Sequence, residues 1–99
     1  MKGSFAKYAQ DTNIEVTFFY VEGHTESFRL PINEQQFQEK LPQLLQESWI
    51  TFHLIDQTVC IRTEKVMKIE IKPPLNQMQG ELVFANTQRI TALQRNAAR

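Results

Sequence analysis

Residues 14–37 read IEVTFFYVEGHTESFRLPINEQQF, and the fold is decided there. Ile14, Val16, Phe18 and Tyr20 alternate with Glu15, Thr17 and Phe19, which is the two-residue period of a β-strand over Ile14 to Val21. Thr25 to Ile32 is its partner, with Phe28, Leu30 and Ile32 on one face. A two-residue turn would set Phe18 against Ser27 and split the apolar faces. An odd-length loop centred on Gly23 keeps them together, pairing Phe18 with Phe28, Val16 with Leu30 and Ile14 with Ile32. Asn33-Glu34-Gln35-Gln36 then has the form of a capping box, and Ile32 can staple onto Phe37. Phe37, Leu41, Leu44 and Leu45 make the buried stripe of the helix that follows. Pro42 lacks an amide hydrogen for Gln38, so the helix is expected to kink or divide near Leu41.

Working outward, Ser48 to Asp56 and Thr58 to Thr63 form a second hairpin turning at Asp56-Gln57. A two- or four-residue loop there opposes Leu54 to Val59, Phe52 to Ile61 and His53 to Cys60. Thr63-Glu64-Lys65 is a tight turn into Val66 to Lys72, folded back so that Ile61 meets Met67 and Val59 meets Ile69. Pro73-Pro74 ends that strand, because neither residue donates to a ladder. Glu81 to Ala85 reads as a last short strand with Leu82 and Phe84 inward. Asn86 is placed to cap a C-terminal helix carrying Ile90, Leu93 and Ala97. The expected class is α+β: one small antiparallel sheet in the order β-β-α-β-β-β-β-α, with two helices packed on it and a partly closed barrel among its forms.

Ninety-nine residues make a single small domain, residues 1–99. Hydrophobic residues at 41% and charged residues at 22% exclude a disordered or collagen-like chain. Eleven basic residues balance eleven acidic ones, which disfavours a generic polyanion binder and eases self-association. The balance hides a polarity: four basic and eight acidic residues run through Asp56, and seven basic and three acidic follow it. One cysteine excludes an internal disulfide framework and favours a reducing compartment. With no apolar run long enough to span a bilayer and a polar start, the expected location is cytoplasmic.

Candidate chemistry is sparse. His53 opposite Cys60, with Arg62 nearby, could lower a thiol pKa, but no orienting carboxylate or oxyanion-loop glycine accompanies the pair. His24 between Glu22 and Glu26 falls short of the three or four ligands a metal site uses. Three glycines, at positions 3, 23 and 80, build no phosphate cradle. No catalytic, metal or cofactor-binding residue is therefore assigned, and no cofactor is expected. The basic second half suggests nucleic acid, yet Phe84 is the only aromatic after Phe52, so stacking partners are missing where the cations lie.

The apolar surplus points elsewhere. Phe19 and Val21 lie on the second face of the first strand, and Trp49, Phe5 and Tyr8 add aromatic area that a short chain struggles to bury. The stretch Val59 to Glu70 has a strand-turn-strand cadence shared by many small β-rich domains and too generic to carry a function. The expected function is a small non-enzymatic accessory or regulatory protein that binds another protein, a homodimer being one form of that. Phe19, Val21 and Trp49 would supply its apolar contact and Arg62, Arg89 and Arg95 its orientation. A nucleic-acid module using the basic half is the alternative, and a Cys60-dependent enzyme the third. A membrane partner is not expected.

Overall fold

The computed structural model describes residues 13–91. In chain order the elements are β1 (Ile14–Tyr20), β2 (Thr25–Leu30), α1 (Glu34–Leu44), β3 (Trp49–His53), β4 (Thr58–Arg62), a 3-10 turn (Thr63–Lys65) and β5 (Val66–Lys72). The strands form two antiparallel sheets, one ordered β2-β1-β5 and the other made of β3 and β4. The mixed α+β class holds. The barrel does not, because neither sheet closes, and α1 is the one helix among the described residues.

β1 is central and its alternation divides inside from outside. Ile14, Val16, Phe18 and Tyr20 are buried, and Phe37 and Leu41 of α1 and Ile61 of β4 complete the core. Phe18 is 0% exposed, and its ring meets Phe28 edge-on at 6.0 Å and Phe52 at 6.0 Å. Phe28 in turn stacks on Phe52 at 4.6 Å, so three aromatics join the two sheets.

The first hairpin keeps the expected parity but shifts by two residues: Ile14 faces Leu30, Val16 faces Phe28, and Phe18 faces Glu26. The turn explains the shift. The Tyr20 N–H donates to the His24 carbonyl and the Gly23 N–H to the Tyr20 carbonyl, each at 3.0 Å, while Gly23 takes φ 106°. That is a three-residue loop with glycine in its left-handed position, centred on Glu22 rather than Gly23. Phe18 and Phe28 still touch, but diagonally.

The helix begins as its sequence directs. Asn33 accepts from the Gln36 amide at 2.8 Å, and the Gln36 side chain accepts from the Asn33 amide at 3.0 Å. Pro42 does not divide it. α1 runs unbroken from Glu34 to Leu44, and the proline sits in its last turn, where only the bond to Gln38 is lost.

The second hairpin is likewise two residues out. Its loop is Leu54 to Gln57, closed by the Leu54 N–H on the Gln57 carbonyl at 2.7 Å. Ile50 therefore faces Ile61, Phe52 faces Val59, Thr51 faces Cys60 and His53 faces Thr58. The largest departure comes next. β5 does not fold back on β4; the 3-10 turn carries it across to the free edge of β1, where Val16 faces Ile71 and Phe18 faces Ile69. β4 offers two inward apolar residues, Val59 and Ile61, whereas β1 offers four, so β1 is the better template. A register break between Phe19 and Tyr20 sets Val66 opposite Tyr20, and Val66 packs against the core.

β5 ends at Lys72, as Pro73-Pro74 requires. Beyond it the expected sixth strand is absent: residues 81–85 form turns and bends, and Leu82 and Phe84 point outward, 86% and 74% exposed. That segment pairs with none of the described strands. Asn86 caps no helix, since its φ of 58° is left-handed where an N-cap is extended. Residues 86–91 are not helical, and Leu93, Ala97, Arg95 and Arg99 lie outside the described residues, as do Phe5 and Tyr8.

Candidate interaction surfaces

Each sheet has an outer face, and the two carry different chemistry. On β2-β1-β5, Glu15 lies between Arg29 and Lys72, Thr17 between Ser27 and Glu70, and Phe19 between Thr25 and Lys68. The Thr17 and Ser27 hydroxyls are 2.7 Å apart. Phe19 is half-buried beneath the Lys68 ammonium, 4.3 Å from its ring centre, and Lys68 also reaches Glu70 at 3.5 Å. Arg89 comes from the C-terminal segment to the same Glu70 carboxylate at 3.6 Å. Val21, just past the end of β1, is half exposed.

On the β3-β4 hairpin the outward row is Trp49-Arg62, Thr51-Cys60 and His53-Thr58. Trp49 is 54% exposed, with the Arg62 guanidinium 5.7 Å from its ring centre, and Arg62 Nε donates to Glu64 at 3.1 Å. The expected contact residues thus separate into two groups. Phe19 lies on the three-stranded sheet, with Val21 just past the end of β1 and Arg89 against Glu70; Trp49 and Arg62 belong to the hairpin, and Arg95 lies outside the described residues. The sheets share a core through their inner faces, so their outer faces do not form one patch.

The His53–Cys60 pair dissolves in the true register. His53 Nδ1 lies 3.0 Å from the Thr58 hydroxyl, and the Cys60 sulfur is exposed, 3.7 Å from the Thr51 hydroxyl. No base stands against the thiol across the strands. His24 is not a ligand cluster either: its ring lies 4.7 Å from that of Tyr20, and the Tyr20 hydroxyl donates to Glu26 at 2.6 Å. Among the described residues no group of three or more His, Cys, Asp or Glu is placed to hold a metal.

The Tyr20–Glu26 bond has a measurable consequence. Burial first, then the hydrogen bond to Glu26 and its negative charge, raise the Tyr20 phenol well above its ordinary value. A raised pKa means that the fold favours the protonated phenol. Its stabilisation is complete below the unfolded value of about 10 and is lost as pH rises beyond it. Urea midpoints measured from about pH 8 to pH 11 should therefore fall at the alkaline end, and fall less steeply in Tyr20→Phe.

No family model, curated protein or solved structure matches this chain. No described helix is long and apolar enough to cross a membrane.

What the sequence did not reveal is the aromatic–cation pairing. Lys68 and Arg62 each sit on an aromatic from another strand, visible only once β5 is placed on β1 and the second hairpin takes its observed register.

Proposed function

We propose that this chain is a small non-enzymatic accessory or regulatory protein that acts by binding another protein, with the outer row of the β3-β4 hairpin as its contact. The observation that supports this reading is the exposed Trp49 with Arg62 seated on it. Trp and Arg are enriched among the residues that anchor protein interfaces. Cytoplasmic residence belongs to the same proposal.

The nucleic-acid reading has one observation in its favour, since Trp49 beside Arg62 puts an aromatic next to a cation. Against it, Arg62, Lys68 and Arg89 are each within 4 Å of a carboxylate, which weakens their pull on a phosphate.

Trp49→Ala removes an exposed side chain, so it should leave the fold standing and reduce partner capture from the native host at least tenfold. Capture and the urea midpoint are measured together. Undiminished capture by a folded Trp49→Ala protein would refute the contact. Tight, salt-dependent binding of RNA or DNA by the wild type would replace the reading with its rival.

A further inference from the structure

We infer that residues 5–10, which lie outside the described residues, add as a strand between the free edges of β2 and β3 and so join the two sheets. The inference concerns backbone edges rather than the outward Trp49 row and stands independently of the proposed partner contact.

A trough of about 810 Å³ runs between the two sheets. β2 lines it with four successive residues, Ser27 to Leu30, and β3 with three, Thr51 to His53. Successive side chains of a strand point to opposite faces, so a cavity that meets both sets lies along the strand's edge. No residue of β1 or β4 lines it, so these are the edges turned away from the partner strands. Phe28 and Phe52, stacked at 4.6 Å, meet across it.

Both edges are unpaired among the described strands. The Thr63 N–H donates to the Ser48 carbonyl at 3.0 Å and the Leu54 N–H to the Gln57 carbonyl at 2.7 Å, at the two ends of the β3-β4 ladder. Hydrogen-bonded pairs recur at every second residue of an antiparallel ladder. Ile50 and Phe52 therefore bond to β4, and Thr51 and His53 turn their N–H and C=O groups to the trough. The Tyr20 N–H on the His24 carbonyl sets the same alternation in the first hairpin. There Phe28 and Leu30 bond to β1, and Ser27 and Arg29 face the trough. The two rows offer a strand laid between them a ladder on each side.

The position and length of the chain before β1 argue for it as the occupant. Asn13 lines the trough together with Leu30 and Pro31 and immediately precedes β1, so the chain enters β1 from the trough's end. The trough needs a strand about as long as β2, whose six residues span about 20 Å. Residues 1–12 reach about 40 Å when extended, which leaves residues 11–13 to cross the end of β2. In Phe5 to Gln10 the strand period sets Ala6 and Tyr8 on one face and Lys7 on the other. Tyr8 then turns to the Phe28–Phe52 pair while Lys7 stays in water. Charge agrees: Arg29 lines the trough with Asn13 and forms no ion pair among the described residues, and Asp11 stands two residues from Asn13.

The test is amide hydrogen exchange of the full chain, read residue by residue. In the wild type the Ser27, Arg29, Thr51 and His53 amides should be protected, and nuclear Overhauser contacts should join Tyr8 to Phe28 and Phe52. Tyr8→Asp should speed exchange of those four amides at least tenfold while Val16, Phe18 and Ile61 stay protected, which shows that both hairpins remain folded. Arg29→Glu should act in the same direction, and Asp11→Arg added to it should restore protection. Fast exchange of the four amides in the wild type would overturn the inference, as would protection that Tyr8→Asp does not alter. Protection that rises with concentration, alongside a dimer in sedimentation equilibrium, would give the trough to a second copy and overturn it as well. Such a failure with Trp49-dependent capture intact would leave the proposed partner contact standing.

Discussion

Phe18→Ala is expected to destabilise the protein by about 3–5 kcal/mol, the cost of removing a fully buried aromatic and leaving a cavity. Phe18 is 0% exposed and touches both Phe28 and Phe52, so its ring is common to β1, β2 and β3. The loss should appear as a lower urea midpoint. Because domains are commonly stable by only about 5–15 kcal/mol, the variant stands close to unfolding. A cost below about 1 kcal/mol would mean that the two sheets are not joined through this residue.

Phe37→Ala is expected to cost a similar amount, about 3–5 kcal/mol. Phe37 is 2% exposed and is the first buried residue of α1, one turn beyond the Asn33 cap. Together with Leu41 it fastens the helix over the core. Its loss should loosen α1 while leaving the β1-β2 hairpin paired, so amide protection should fall in Gln38 to Leu44 before it falls in β1. Trp49 lines a shallow groove with Phe37, so its fluorescence offers a second reading of the same undocking.

The sequence makes the strand faces legible and leaves the pairing open, for a physical reason. Apolar alternation fixes parity, since a shift of one residue turns a whole face to water, but a shift of two returns the same face to the core. Both hairpins differ from the expected register by two, each because its loop is centred one residue earlier than expected. Centring the first turn on Gly23 overlooks that a glycine at the last position of a three-residue loop closes it equally well. The helix was legible because its determinants are local: Asn33, Gln36 and the Phe37–Leu41 spacing all act within two turns.

The partner of β5 was not legible, because proximity along the chain favoured β4 while the longer apolar ladder was on β1. A strand at Glu81 and a helix after Asn86 are expected from local pattern alone, and the chain has neither through Thr91. Of the expected contact residues, Trp49 and Arg62 do meet, as cross-strand neighbours at the end of the hairpin. Phe19 reads as open apolar surface in the sequence, and Lys68 covers it from β5.

The position of β5 underlies the covered Phe19 and the independence of the two outer faces. It is tested most directly by inter-strand proton contacts in the isotopically labelled protein. The structure predicts nuclear Overhauser contacts joining Phe18 with Ile69 and Val16 with Ile71, and none joining Ile61 with Met67 across a β4-β5 ladder. Contacts between Ile61 and Met67 and between Val59 and Ile69, with β1 free on that edge, would contradict it.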